Sequence, residues 1–118
     1  ELVNKERNAR GLKSLTLDPT LTKAANIRAK EIVTLFSHTR PNNTICFTVL
    51  KEVGYSYMAC GENIAGGYST SSKTVEEWMN SPGHKANILN ANFTKMGLGY
   101  SNSGNGNYRY YWAQEFAG

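Results

Sequence analysis

The sequence predicts an α+β domain with a mainly antiparallel sheet. Three observations point there. Helical spacing of apolar residues dominates the first part of the chain, and strict alternation appears only near the C-terminus. A Gly/Asn-rich stretch, residues 102–107, separates two alternating segments, as in a hairpin. Helices early and strands late, with no internal repeat, place helices on a sheet.

Residues 2–10 read as the first helix, with Leu2, Val3 and Ala9 apolar, Glu6, Arg7 and Arg10 polar, and Gly11 as the stop. Asp18-Pro19 starts the second. Aspartate caps well, and proline is tolerated at the first helical position because its missing N–H would be unpaired there. Leu21, Ala25, Ile32 and Phe36 mark one face of about five turns. The helix delivers Ser37-His38-Thr39-Arg40-Pro41 into a loop. Thr44 to Val53 reads as a third helix, ended by Gly54. Gly61 to Ala65 is a turn or short strand, and Gly66 to Ser72 a loop. Lys73 to Asn80 is helical, with Val75, Trp78 and Met79 on one side. Met96 to Ser101 and Tyr108 to Phe116 are strands. Trp78 and Trp112 are core candidates. Gln114 is a buried hydrogen-bonding residue on the Trp112 face. Tyr108, Tyr110 and Tyr111 pack on the sheet or, if exposed, offer a row for glycan or peptide.

The segment Ser81-Pro82-Gly83-His84 breaks the helical pattern. A residue preceding proline avoids the helical region, so one helix stops by Ser81 and a new one starts at Pro82. Ser81 is then the cap and His84 the third helical residue, its N–H within reach of the Ser81 hydroxyl. The partial positive charge of a helix start favours a neutral imidazole there.

At 118 residues the chain is one domain, residues 1–118. No apolar run approaches the ~18 residues of a membrane span. The net charge is +4, but the 13 Lys and Arg are scattered, which argues against nucleic acid as a partner. The start of the chain has no leader, and the chain reads as a domain trimmed from a longer secreted precursor. Two cysteines, Cys46 and Cys60, fit an oxidising compartment as a pair; two buried free thiols are the alternative. Joined, they close a loop of about 15 residues and stabilise by roughly 3 kcal/mol. A Cys46–Cys60 disulfide is the expectation, and it would hold Glu62 in place.

His38 and His84 are the only histidines, and both sit at element boundaries. Glu62 lies between Gly61 and Asn63, whose side chain is expected to brace that turn. Two His and one Glu suit a three-ligand zinc site with an open position, or a base and acid. The bland alternative is three separate loop residues with satisfied hydrogen bonds.

Several segments together resemble the CAP superfamily, the SCP-like extracellular domain: LVNKERNARGLKSLTLDPTLTKAA, FSHTRP, CGENIA, VEEWMNSPGHKANILNANFTKMGLGY and YYWAQEF. They run in family order over nearly the whole chain, and SPGHKANIL is similar to bacterial members. The resemblance implies a three-layer α-β-α sandwich and a cleft where two His and two acidic residues converge to hold zinc or another divalent metal. His38, Glu62 and His84 match three of the four. Ser81 stands where the family carries its second glutamate, and Glu77, one helical turn back, is the nearest substitute. The resemblance implies a secreted or wall-associated binding module, monomeric, with a protein, peptide or cell-wall partner. The alternatives are a metal-assisted hydrolase of peptides or cell-wall material and a purely structural wall or spore role. Enzymatic activity is not the leading expectation, since the acidic set is reduced and no nucleophile is identifiable.

Overall fold

The computed structural model describes residues 2–103 and 108–118. The chain runs α1 (Leu2–Asn8), β1 (Thr16–Leu17), α2 (Pro19–Thr34), α3 (Thr48–Glu52), β2 (Cys60–Gly66), α4 (Ser71–Met79), α5 (Pro82–Ile88), β3 (Lys95–Asn102) and β4 (Tyr110–Ala117). The four strands form one sheet in the order β1-β3-β4-β2. The β3–β4 and β4–β2 pairs are antiparallel, and the two-residue β1 adds a parallel edge. Most of the expected hairpin tip, residues 104–107, lies outside the described residues.

The sheet alternation creates three layers. On one face Ile64, Tyr111, Ala113 and Ala117 pack against Leu21, Ala24, Ala29 and Ile32 of α2 and Val49 and Leu50 of α3. On the other, Ala65, Met96, Trp112 and Phe116 meet Val3 of α1, Val75 and Trp78 of α4 and Ile88 of α5. Both tryptophans are therefore core, as expected. Gln114 is buried, accepting from Asn63 Nδ2 at 3.3 Å and lying 3.6 Å from Met96 Sδ.

Asp18 caps α2 as its sequence position dictates, accepting from the N–H groups of Thr20 at 2.8 Å and Leu21 at 3.0 Å. The helix stops at Thr34, two residues short of Phe36, so Phe36 leaves the apolar face and is 43% exposed. The third helix is only five residues; its expected first part instead forms a turn in which Thr39 bridges Ile45 and the Cys46 N–H bonds the His38 carbonyl at 2.7 Å. Arg7, read as a polar surface residue, is 2% exposed. Its guanidinium donates to the carbonyls of Lys13 and Ile88, each at 2.8 Å, and Asn90 at 2.9 Å, tying α1 to the end of α5. The segment read as a turn or short strand is the seven-residue β2. It is short of β-branched residues, and its strand state comes from pairing along its whole length with β4.

The helix layer lies unusually close to β3. A methyl group built on Gly97 would stand 2.2 Å from the Leu21 carbonyl carbon, and one on Gly99 2.3 Å from that of Ala25. These are backbone atoms and cannot swing aside. Gly97→Ala is expected to cost about 3 kcal/mol or more by forcing α2 off the sheet. Gly83→Ala, at a site with nothing within 4 Å, is expected to be neutral or slightly stabilising. Urea unfolding of the two variants checks this; equal midpoints would contradict it.

Candidate functional site

The site is built around one buried arginine. Arg28, on the inner face of α2, is fully buried beside the equally buried Glu62 of β2. Its Nε donates to Glu62 Oε2 at 2.8 Å and its Nη2 to Glu62 Oε1 at 3.1 Å, a two-pronged pair. The same guanidinium bonds Glu31 Oε1 at 2.8 Å and the Ser37 carbonyl at 2.6 Å. Arg40 reinforces the loop with bonds to Glu31 at 2.7 Å and Glu52 at 2.7 Å. The chain leaving α2 is thereby fixed, and His38 is held with Nδ1 2.9 Å from Glu62 Oε1.

Burial works to raise the Glu62 pKa, but hydrogen bonds from His38 and Arg28 outweigh it and bring it down to about 2. An ionised Glu62 only accepts. The His38 ring therefore donates from Nδ1, and in its neutral form the lone pair is on Nε2.

His84 arrives from the opposite layer. Ser81 occupies the cap position of α5, but its hydroxyl makes no capping bond, contrary to expectation. The start of α5 is set by the Lys85 N–H on the Ser81 carbonyl at 2.8 Å. Asn63 does not brace a turn either. Its Nδ2 donates to the His84 carbonyl at 3.2 Å, and its Oδ1 accepts from Asn87 Nδ2 at 2.9 Å, which anchors α5 to the sheet. The His84 pKa is lowered, first by burial and then by the nearby His38, so the imidazole is neutral at pH 7. The expected outcome holds, but the causes are desolvation and a second histidine.

A cleft of about 310 Å³ opens beside His84, along the edge of β2. Ser81, Glu77 and Trp78 form one side, and Phe36 and Tyr108 the other. Glu77 lies 3.4 Å from the Tyr68 hydroxyl and 3.4 Å from Lys73 Nζ.

The expected disulfide is absent. Both cysteines are free thiols, Cys46 buried and Cys60 partly so. Cys46 Sγ lies within 4.8 Å of ligand atoms of His38 and Glu62, whereas Cys60 faces the Tyr57 hydroxyl and packs on the α2–α3 cluster. Burial, followed by the charge of Glu62, pushes the Cys46 thiol up.

Sequence reasoning missed Arg28 and Glu115. Glu115 faces Glu62 across the β2–β4 ladder, is fully buried, and as a carboxylate finds no donor for either oxygen among the described residues. Burial, a side-chain hydrogen bond that only the protonated acid can give to Glu62, and the Glu62 charge raise its pKa well above the usual carboxylate range. Only the alternation of β4, which puts Glu115 on the same face as Ala113 and Ala117, signals it.

The resemblance implies a divalent metal held by His38, His84 and Glu62. Glu62 has both oxygens engaged by Arg28 and His38, which suits it to orienting a histidine ligand from behind. Among the described residues, the ligand atoms that lie within 4.8 Å of one another are those of His38, Cys46 and Glu62; His84 is outside that group and lines the cleft, which His38, Glu62 and Asn63 do not. A divalent ion held by the imidazoles would polarise a bound carbonyl or water.

The model of the cysteine-rich secretory protein (CAP) family matches residues 1–116. YkwD of Bacillus subtilis is 43% identical over 120 residues, covering the whole chain and 45% of that protein. The Bacillus subtilis membrane protein YlbC is 30% identical over 118 residues, 98% of the chain and 32% of that protein. The chain thus spans less than half of these relatives. Among solved structures, an extracellular SCP-domain protein of Bacillus anthracis superposes with TM-score 0.86 at 29% identity, covering 98% of this chain and 37% of that one. An outer surface protein of Borrelia burgdorferi shares the fold with TM-score 0.86 at 23% identity, covering 98% and 86%.

The buried carboxyl pair has a pH consequence. Unfolded Glu115 ionises at about pH 4.3. Folded Glu115 holds its proton above that, so its raised pKa costs stability as pH climbs and costs nothing below it. Glu115→Gln is expected to match wild type near pH 4 and to gain on it above pH ~4.5, by up to about 1.4 kcal/mol per unit. Urea unfolding at pH 4 and pH 8 measures this. A stability difference independent of pH would sink it.

Proposed function

Since this chain belongs to the cysteine-rich secretory protein (CAP) family, we propose that it is an extracellular or cell-surface binding module whose working site is the cleft along β2. In this reading a divalent metal such as zinc is held by His38 and His84. The observation that carries it is the Glu62–His38 pair at 2.9 Å, in which a buried carboxylate holds an exposed imidazole by Nδ1, so that the neutral ring has its lone pair on Nε2. The neutral state of His84 supports it, because a protonated imidazole cannot ligate. The extracellular and outer-surface descriptions of the Bacillus anthracis and Borrelia burgdorferi proteins support the location. The partner is a protein, a peptide or cell-wall material.

Zinc titration by calorimetry at pH 7.5 tests the metal reading. Wild type is expected to bind one zinc, and His38→Ala and His84→Ala each to lose the heat. Glu62→Gln keeps both imidazoles but not the orienting charge, and is expected to weaken binding by about 10-fold or more. Absence of zinc binding, or binding indifferent to both histidine variants, overturns it.

A further inference from the structure

The floor of the cleft is the free side of an edge strand, and its backbone groups are countable. The Gly67 N–H bonds the Tyr110 carbonyl at 2.8 Å, and Ala59 and Gly118 exchange bonds at 3.0 and 2.9 Å. These fix the odd-numbered residues of this segment as the ones bonded to β4. Glu62, Ile64 and Gly66 therefore turn their N–H and C=O groups outward. Two helix side chains verify this: Asn87 Nδ2 donates to the Glu62 carbonyl at 3.2 Å, and Trp78 Nε1 to the Ile64 carbonyl at 3.1 Å. The cover ends at Trp78. Among the described residues no hydrogen bond reaches Gly66 from this side.

We infer that this open end of β2 takes an extended peptide carrying a basic side chain, its backbone paired with Gly66. A donor and an acceptor side by side on one extended residue are complemented by another extended residue, which gives and takes one bond each. The surroundings select the side chain. The rings of Phe36 and Tyr108, with centroids 5.3 Å apart, stand over Gly66 and are each 43% exposed. A Cβ on Gly66 would come within 2.6 Å of the Tyr108 ring, so the ring rests directly on the glycine backbone. Glu77 supplies the carboxylate of the same cleft, and a carboxylate beside aromatic faces is a cation site. Lys73 touches Glu77 from solvent, but such an exposed pair contributes little and yields readily.

The inference rests on the reading that the cleft is the ligand site, and not on the metal. The test is NMR titration of the 15N-labelled domain with a blocked tetrapeptide holding one lysine, and with its glutamate counterpart, in EDTA and again with zinc. The lysine peptide is expected to give saturable shifts and slowed hydrogen exchange at the Gly66 amide, in EDTA as well as in zinc. Glu77→Gln is expected to weaken it about threefold, and the glutamate peptide to bind more weakly still. No saturable change at Gly66, equal binding of both peptides, or binding only with zinc overturns the proposal. So does chitotriose shifting the Gly66 amide where the peptide does not. Failure of the zinc titration with peptide binding intact removes the metal and leaves the edge.

Discussion

The Arg28–Glu62 pair is the interaction on which the site depends. It spans two layers, α2 and the sheet, with both side chains fully buried. Taking two charges out of water costs several kcal/mol each, so such a pair is seldom a net source of stability. Its effect is placement. Five guanidinium N–H groups point in fixed directions, and here they reach Glu62, Glu31 and the Ser37 carbonyl. One planar group thus orients β2, the end of α2 and the loop that carries His38. Lysine, with a single flexible ammonium, has no such fork.

Glu115 shows what that arrangement demands of its neighbours. A single cation, Arg28, faces two carboxyls that oppose each other across the ladder. Both cannot stay ionised in a dry interior. Glu62 has the guanidinium and the imidazole and keeps its charge; Glu115 has neither and keeps its proton. The buried Cys46 thiol beside them is held neutral for the same reason. The charge of the pocket is therefore concentrated on one carboxylate, the one that touches His38.

Much of this was legible in sequence. Asp18-Pro19 located α2, Ser81-Pro82 located α5, and the alternation of residues 108–116 located β4, because each signal is local. The α+β class followed from the same reading, whereas the meeting of His38 and Glu62 was implied only by the family resemblance. What failed was decided by distant partners. Arg7 and Arg28 look like solvated helix charges, and only chain segments far away in sequence supply their acceptors. Phe36 fits the helical period, but Arg28 binds the Ser37 carbonyl and the chain leaves the helix before Phe36 is reached. The cysteines have plausible spacing, yet both thiols are free, and Cys46 sits among the ligand atoms of His38 and Glu62. Gly61–Ala65 lacks strand-forming side chains, and its pairing with β4 makes it one.

The cleft exists because β2 is an edge. Only at an unpaired edge can a side chain from the α2 side, His38, approach one from the α5 side, His84, without the sheet between them. Such edges invite unwanted pairing, and folded domains cover them. Here Asn87 and Trp78 do so by bonding the outward carbonyls of Glu62 and Ile64. These are the same two helices that carry His84 and Glu77, so protecting the edge and furnishing the cleft are one piece of packing. The cover stops where Gly66 gives way to Gly67, whose φ of +98° turns the chain out of the strand. At this end of β2 one residue of edge, Gly66, is left open beside the aromatic rings. That is long enough to hold one extended residue of a ligand and too short to template a further strand.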